Sequence, residues 1–150
     1  MKNYIPEKLY EQIIDNIPLC CVDIIVVCGS KFLLLKRAKS PANNQWWIPG
    51  GRLLRGENLE TAVKRKMKEE LKITKIRSIK FLAIGQNRFP KGHFGKPYFV
   101  INLIHIVEIP ESEVDKIKID SNHSAHKWFS KIPSGVSPYI KKYLKLAGFK

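Results

Sequence analysis

Two adjacent glutamates, Glu69 and Glu70, lie in a strongly basic segment, RGENLETAVKRKMKEEL, which spans residues 55–71. The segment predicts a helix, because apolar residues recur at helical spacing at Leu59, Ala62, Val63, Met67 and Leu71. An advance of about 100° per residue puts Glu70 near the middle of the apolar face and Glu69 at its margin. A carboxylate in such a place is costly unless it pairs with a cation or binds a metal.

Lys66 lies one helical turn before Glu70, on the same side of the predicted helix. One interpretation is a structural Lys66–Glu70 ion pair, which at this spacing usually contributes only about 0.3–0.5 kcal/mol. The other is that the carboxylates form part of a cation site. The helix alone leaves both interpretations open.

The composition favours a small anionic ligand. The chain of 150 residues carries 27 basic and 13 acidic residues, a net charge of +14, which attracts anionic partners. The lysines are spread along the whole chain, and no nucleic-acid recognition motif is present. We therefore expect a phosphate-bearing small molecule and no nucleic acid. With 44% hydrophobic residues, residues 1–150 are expected to form a single globular domain.

The chain shows no signal for a membrane or an export route. No apolar run approaches 18 residues, and Met1–Asn16 lacks the basic-then-apolar order of a signal peptide. The cysteines, Cys20, Cys21 and Cys28, are odd in number and form no CxxC pair, which suits no disulfide framework. We expect reduced cysteines in a cytoplasmic protein.

Around the central helix, the pattern predicts helices, a hairpin and further strands. Pro6 begins an amphipathic helix that ends before Pro18, and Ser137–Leu146 forms a closing helix. The predicted strands are Val22–Val27 and Phe32–Lys36, paired as a hairpin, then Ile76–Gly85, Tyr98–Val107 and His126–Phe129. This order suggests a mixed sheet with helices on its faces. Asp23 interrupts the first strand and lies either at its solvent edge or in a site.

A set of residues at fixed spacing around the helix resembles the Nudix box. The set consists of Gly51, Glu57, Arg65, Met67, Glu69, Glu70 and Ile73, preceded by Trp47-Ile48-Pro49-Gly50. The resemblance implies an α/β (α+β) Nudix fold, in which a mixed β-sheet is sandwiched between helices. It also implies Mg²⁺, with Mn²⁺ as an alternative, because carboxylate and carbonyl oxygens suit hard cations. Such a cation stabilises a departing diphosphate.

Two positions depart from the box. Lys72 stands where glycine is usual, a change expected to affect only the end of the helix. Lys66 replaces the first of three helix glutamates. An ammonium cannot ligate a cation and repels an additional one, so we expect one ion per subunit. Phosphorus attack by metal-assisted water is thereby put in doubt.

A reduced box of this kind is similar to that of one Nudix branch, the GDP-mannose mannosyl hydrolases. Three further segments resemble that branch: PLCCVDIIV at 18–26, FLLLKR at 32–37 followed by Pro41-Ala42, and DSNH at 120–123 upstream of Trp128. The branch hydrolyses a nucleotide sugar by water attack at the sugar C1, with inversion. The resemblance implies a small-molecule nucleotide sugar as substrate and a homodimer.

The resemblance also implies roles for individual residues. The Gly50 carbonyl, Glu70 and Asn122 would hold one Mg²⁺, with Glu69 as a further candidate ligand. The side chains assigned to the substrate are Arg37, Arg52 and Arg65 on the diphosphate, Tyr98 as a hydrogen-bond donor to it, and Asp23 facing the sugar. His123 would be the base that takes a proton from water.

Several alternatives remain open at this stage. Arg65 could form a structural ion pair, His123 could be an ordinary exposed histidine in a polar loop, and Glu57 could support the loop without touching metal. Arg88 or His93 could replace a histidine that the branch carries after the strand ending near Gly85. Retention of Glu69 leaves room for Nudix pyrophosphate cleavage, and a non-catalytic nucleotide-sensing domain is a third reading.

Overall fold

The structure is a computed structural model that describes residues 5–150. The sequence-based prediction for Met1–Asn16 therefore rests partly on residues 1–4, which lie outside the described range. The helices are α1 (Glu7–Asn16), α2 (Leu59–Leu71) and α3 (Pro138–Leu146), with short 3₁₀ helices at His93–Gly95 and Glu111–Lys116. The strands are β1 (Leu19–Cys28), β2 (Lys31–Arg37), β3 (Trp46–Trp47), β4 (Gly50–Arg52), β5 (Ser78–Phe89), β6 (Tyr98–Glu108) and β7 (His123–Phe129).

The strands form one mixed sheet in the order β3-β2-β1-β6-β5, with β4 paired to β1 and β7 paired to β2. The long central pair, β1 and β6, is parallel, while the other pairs are antiparallel. The predicted β1–β2 hairpin is confirmed, with Val27 opposite Phe32. Because β1 lies inside the sheet, its backbone is held rigidly at the point where Asp23 projects.

Alternate residues of β1 serve opposite faces of the sheet, as the twofold repeat of a strand requires. Ile24 packs with Met67 and Leu71 of α2, whereas Ile25 packs with Ile140 and Leu144 of α3. The sheet is therefore sandwiched between α2 and α3, as predicted. A third, smaller cluster is formed by Ile14, Leu19, Cys21, Tyr98 and Val100, and it fixes α1 against the sheet.

Helix α2 begins and ends with recognisable caps. The Asn58 side chain accepts a hydrogen bond from the Thr61 N–H at 2.8 Å. Lys72 closes the helix in the left-handed conformation (φ 61°), the conformation that glycine adopts most easily. The predicted facing of the glutamates is confirmed, because the side chain of Glu70 is 6% exposed and that of Glu69 is 46% exposed.

Several strand boundaries differ from the predictions, and β1 already begins at Leu19, three residues before the predicted Val22. β5 continues to Phe89, four residues beyond the predicted end, because its polar end still pairs with β6, with Gln86 opposite Ile101. β7 begins at His123 and not at His126, since Arg37 of β2 pairs with His123. Among residues 5–150, no helix is both long enough and apolar enough to cross a membrane.

Candidate active site

A cavity of about 200 Å³ opens where β1, β4, β6 and the last turns of α2 meet. Most of the predicted site residues line it: Asp23, Arg37, Gly50, Arg52, Glu70, Tyr98, Asn122 and His123. They come from six separate parts of the chain, so the fold brings the predicted set together. Arg65 and Glu69 are not among the lining residues, whereas Lys66 is.

Lys66 and Glu70 form an ion pair inside the cavity. The Lys66 Nζ lies 2.6 Å from Glu70 Oε1 and 3.2 Å from Glu69 Oε2. The other Glu70 oxygen, Oε2, accepts a hydrogen bond from the Gly50 N–H at 3.3 Å. Burial by itself favours a neutral amine, but the two carboxylates outweigh it and raise the pKa of Lys66. Lys66 is therefore a fixed positive charge in the cavity.

Arg65 forms a second ion-pair cluster behind this one. Its guanidinium donates two hydrogen bonds to Glu57, at 2.7 and 2.9 Å, and one to the Arg52 carbonyl at 3.0 Å. Its remaining nitrogen lies 3.2 Å from Glu69. Glu57 also accepts from the Leu54 N–H at 3.1 Å, and the Arg65 hydrogen bonds lower the pKa of Glu57. These contacts fit the interpretation of Arg65 and Glu57 as supports for the loop and for β4.

His123 is held by a carboxylate on one side and faces another. Its Nδ1 lies 2.7 Å from Asp120 Oδ1, and its Nε2 lies 4.0 Å from Glu70 Oε2. If Nδ1–H donates to Asp120, Nε2 faces the cavity as a proton acceptor. The reading of His123 as an exposed loop histidine is wrong, because the residue starts β7 and its side chain is 3% exposed.

Asp23 is buried in the cavity wall, which decides between the two readings of this residue in favour of the site. Its Oδ2 accepts a hydrogen bond from the Tyr139 hydroxyl at 3.0 Å, and that hydroxyl accepts one from the Asn102 side-chain N–H at 2.6 Å. Burial, reinforced by Glu70, raises the pKa of Asp23 to about 7. Sequence reasoning missed Asn102 and Tyr139, which no local pattern singles out.

The rest of the cavity is basic and aromatic. The Arg37 Nε donates to the Pro41 carbonyl at 2.6 Å, and the Arg52 guanidinium lies 5.2 Å from the centre of the Tyr10 ring. Tyr98 is buried, and burial raises the pKa of its hydroxyl, which therefore stays a hydrogen-bond donor at neutral pH. Basic side chains and a phenol that line the same cavity suit a diphosphate.

The structure separates the two candidates for the missing branch histidine. His93 lines the cavity, and burial together with nearby Arg37 lowers its pKa. Arg88 packs on the Phe99 ring at 5.8 Å and lines a different groove, beside α1. His93 is thus the one that can reach a ligand in the cavity.

The oxygen donors in the cavity fit a single hard cation. Gly50 offers a carbonyl, Glu70 a carboxylate oxygen and Asn122 an amide oxygen, all of which are ligand types that Mg²⁺ accepts. The Asn122 side-chain N–H donates to Asp120 at 3.0 Å, which turns the amide oxygen away from that carboxylate. Within residues 5–150, no cluster of three or more His, Cys, Asp and Glu side chains is arranged to hold a metal. A site here combines the Glu70 carboxylate with backbone and amide oxygens.

Comparison with known proteins agrees with this geometry. Residues 21–132 match the model of the NUDIX domain family. The low-salt glycan biosynthesis protein Agl8 of Haloferax volcanii is 30% identical over 143 residues, which cover 93% of this chain and 88% of Agl8. The ADP-ribose pyrophosphatase of Methanocaldococcus jannaschii is 35% identical over 88 residues, which cover 58% of this chain and 52% of that enzyme.

The fold is also found among solved structures. The NUDIX domain of Shewanella oneidensis NrtR, complexed with ADP ribose, superposes with a TM-score of 0.67 at 20% identity, covering 97% of this chain and 92% of that one. This likeness confirms the predicted mixed sheet between helices. Because the family match spans most of the sequence, the chain belongs to the NUDIX domain family.

Proposed function

We propose that this Nudix protein hydrolyses a nucleotide sugar, GDP-mannose or a close relative, to a nucleoside diphosphate and the free sugar. Family membership supports the broader statement that the substrate is a nucleoside diphosphate derivative. The finer proposal is carried by one observation: the Lys66 ammonium lies 2.6 Å from Glu70, in the position of a helix glutamate.

Lys66 limits how much positive charge the cavity accepts. It neutralises Glu70 Oε1 and also contacts Glu69, so one carboxylate oxygen, one amide and one carbonyl remain for a cation. One divalent cation, Mg²⁺ or Mn²⁺, supplies charge stabilisation for a leaving diphosphate. We infer that the bond broken is the one whose cleavage needs only this stabilisation, namely the bond between C1 and the diphosphate oxygen.

The lining residues support that reaction at carbon. Water forms a bond to C1 as the C1–O bond breaks, and the electron pair of that bond leaves with the diphosphate. His123 Nε2 accepts the water proton, Asp23 favours the positive charge that develops at C1, and Arg37 and Arg52 bind the diphosphate together with Tyr98. The Arg65 guanidinium supports Arg52 by donating a hydrogen bond to the backbone carbonyl of Arg52.

The relatives support a nucleotide-sugar substrate. Agl8 is named for glycan biosynthesis, a process that consumes activated sugars, and the NrtR domain binds ADP ribose. The proposal includes a single domain over 1–150, a homodimer and a cytoplasmic location, where reduced cysteines are expected.

A second candidate is pyrophosphate cleavage at phosphorus. It is favoured by the retained Glu57 and Glu69 and by the likeness to an ADP-ribose pyrophosphatase. The products separate the two candidates, since phosphorus attack would yield a nucleoside monophosphate and a sugar 1-phosphate.

The deciding experiment incubates the protein with Mg²⁺ and a panel of nucleotide sugars in ¹⁸O-labelled water. We expect GDP and free mannose from GDP-mannose, with the label on the sugar. Label in a phosphate product would overturn attack at carbon and establish the pyrophosphohydrolase alternative. An ADP-ribose sample in the panel tests that alternative directly.

A further inference from the structure

Tyr139 and Asn102 form a buried hydrogen-bonded chain that ends on Asp23. The Asn102 amide donates to the Tyr139 oxygen at 2.6 Å, and the Tyr139 hydroxyl donates to Asp23 Oδ2 at 3.0 Å. Asn102 is 4% exposed and Asp23 is 6% exposed. Since a hydroxyl has a single proton, donation from Asn102 leaves that proton for Asp23.

The Tyr139 ring is clamped from two sides. It stacks on Trp47 with the ring centres 5.7 Å apart and the planes 9° apart, and it packs edge-on against Tyr143 at 5.1 Å. Tyr139 also lies in the first turn of α3, which is fixed by the Ser137 hydroxyl accepting from the Ile140 N–H at 3.2 Å. The Tyr139 hydroxyl is therefore held in one position before substrate binds, and little further entropy is lost in ordering it.

The other Asp23 oxygen is confined as well. A Cβ atom on Gly50 would lie 2.6 Å from Asp23 Oδ1, so the absence of a side chain at Gly50 gives that oxygen its space. With Oδ2 bonded to Tyr139, the carboxylate plane is set and Oδ1 is the oxygen beside Gly50, a residue that lines the cavity.

We propose that Tyr139, supported by Asn102, is a positioning residue that orients the Asp23 carboxylate toward the sugar C1 during hydrolysis. This inference rests on the proposed function, because it deepens the role of Asp23 in that reaction. It makes the C-terminal helix part of the site through a residue that itself touches neither the diphosphate nor the cation donors.

Two variants with a matched control test this role. Tyr139→Phe keeps both ring contacts and removes only the hydroxyl, and we expect kcat for the nucleotide sugar to fall roughly tenfold or more. Inhibition by the product GDP should stay within about twofold, because the diphosphate contacts are intact. Tyr143→Phe removes a hydroxyl one turn along the same helix and should leave kcat nearly unchanged. Asn102→Ala is the second test variant, with a smaller expected loss of roughly threefold.

The double variant with Asp23→Asn separates positioning from a merely structural role. If Tyr139 acts through Asp23, adding Tyr139→Phe to Asp23→Asn should lower kcat by less than about twofold more. Losses that multiply would overturn the positioning role, as would an unchanged kcat in Tyr139→Phe. Failure of the proposed function would appear separately, as wild-type protein that releases no free sugar from any nucleotide sugar.

Discussion

Arg65 and Lys66 are neighbours on α2, and both are basic and paired with glutamates. Their side chains nevertheless lie in different surroundings. The Arg65 guanidinium bonds to Glu57, the Arg52 carbonyl and Glu69, and Arg65 is not among the residues that line the cavity. Lys66 extends into the cavity and pairs with Glu70. Successive helix positions differ by about 100°, so adjacent side chains with the same charge can have unrelated surroundings.

The different surroundings of Arg65 and Lys66 show which position of the motif can change the chemistry of the cavity. A positive charge at Arg65 completes a set of hydrogen bonds that the loop needs. A positive charge at Lys66 lies where a ligand and a cation would otherwise find a carboxylate. The first is a contribution to stability, while the second changes what the cavity can hold.

The largest effect is expected for Glu70, the partner of Lys66 in the cavity. Glu70→Gln should lower turnover by roughly 10²–10³-fold and weaken Mg²⁺ binding, because it removes the carboxylate that offers an oxygen to the cation. Glu69→Gln should cost less than about tenfold, since Glu69 is largely exposed and lies outside the cavity lining. Steady-state kinetics and calorimetric Mg²⁺ titration would measure both, and equal effects of the two variants would contradict the assigned helix geometry.

The base is the next largest effect. His123→Gln should lower kcat at least about a hundredfold with little change in KM, because it removes the proton acceptor that faces the cavity. His126→Gln is the matched control, because His126 is exposed on the same strand. A small loss of kcat in His123→Gln, together with a loss of about a hundredfold in His93→Gln, would assign the base to the loop that carries His93.

Lys66 is tested by counting ions. Wild-type protein should bind one tight divalent ion per chain, and Lys66→Glu should bind a second, because it exchanges a repelling charge for a ligand. Lys66→Met serves as a control that removes the ammonium without adding a carboxylate. One ion in both wild type and Lys66→Glu would reduce Lys66 to a structural partner of Glu70.

The smallest effect is expected for the Arg65–Glu57 pair outside the cavity, and it is an effect on the stability of the fold. Arg65 lowers the pKa of Glu57, so their pair stabilises the fold above about pH 4.3, the ordinary glutamate value, and this contribution is lost as the pH falls through the lowered pKa. Glu57→Gln should therefore lower the free energy of unfolding at neutral pH by roughly 1–3 kcal/mol. The difference from wild type should shrink as the pH falls through the lowered pKa of Glu57.

Thermal unfolding between neutral and acidic pH would measure this difference. Glu60→Gln is the matched control, since the Glu60–Lys64 pair is exposed and should contribute little. A Glu57→Gln loss that persists unchanged at low pH would show that packing, and not the Arg65 pair, is responsible.

Much of the fold was predictable because its signals are local. The apolar repeat and the Asn58 cap define α2, and short apolar runs around a turn define the β1–β2 hairpin. The end of β5 was not predictable, because Gln86-Asn87-Arg88 has weak strand preference and is kept extended by its pairing with β6. The start of β7 depends in the same way on β2.

The site residues also divide into those with a local sequence signal and those without one. The cavity residues that belong to a fixed spacing, such as Gly50 and Glu70, were found from that spacing. Tyr139 was not, because it reaches Asp23 across 116 positions of sequence and looks locally like any aromatic residue of an amphipathic helix. Contacts between distant segments leave no periodic pattern from which they can be predicted.

The ammonium that Lys66 places between Glu69 and Glu70 also has a genetic consequence. Either lysine codon becomes a glutamate codon when its first base changes from A to G. A glutamate at position 66, the residue that the Nudix box usually carries there, is therefore one transition away in a single codon. A single-base change in the gene would restore all three helix glutamates.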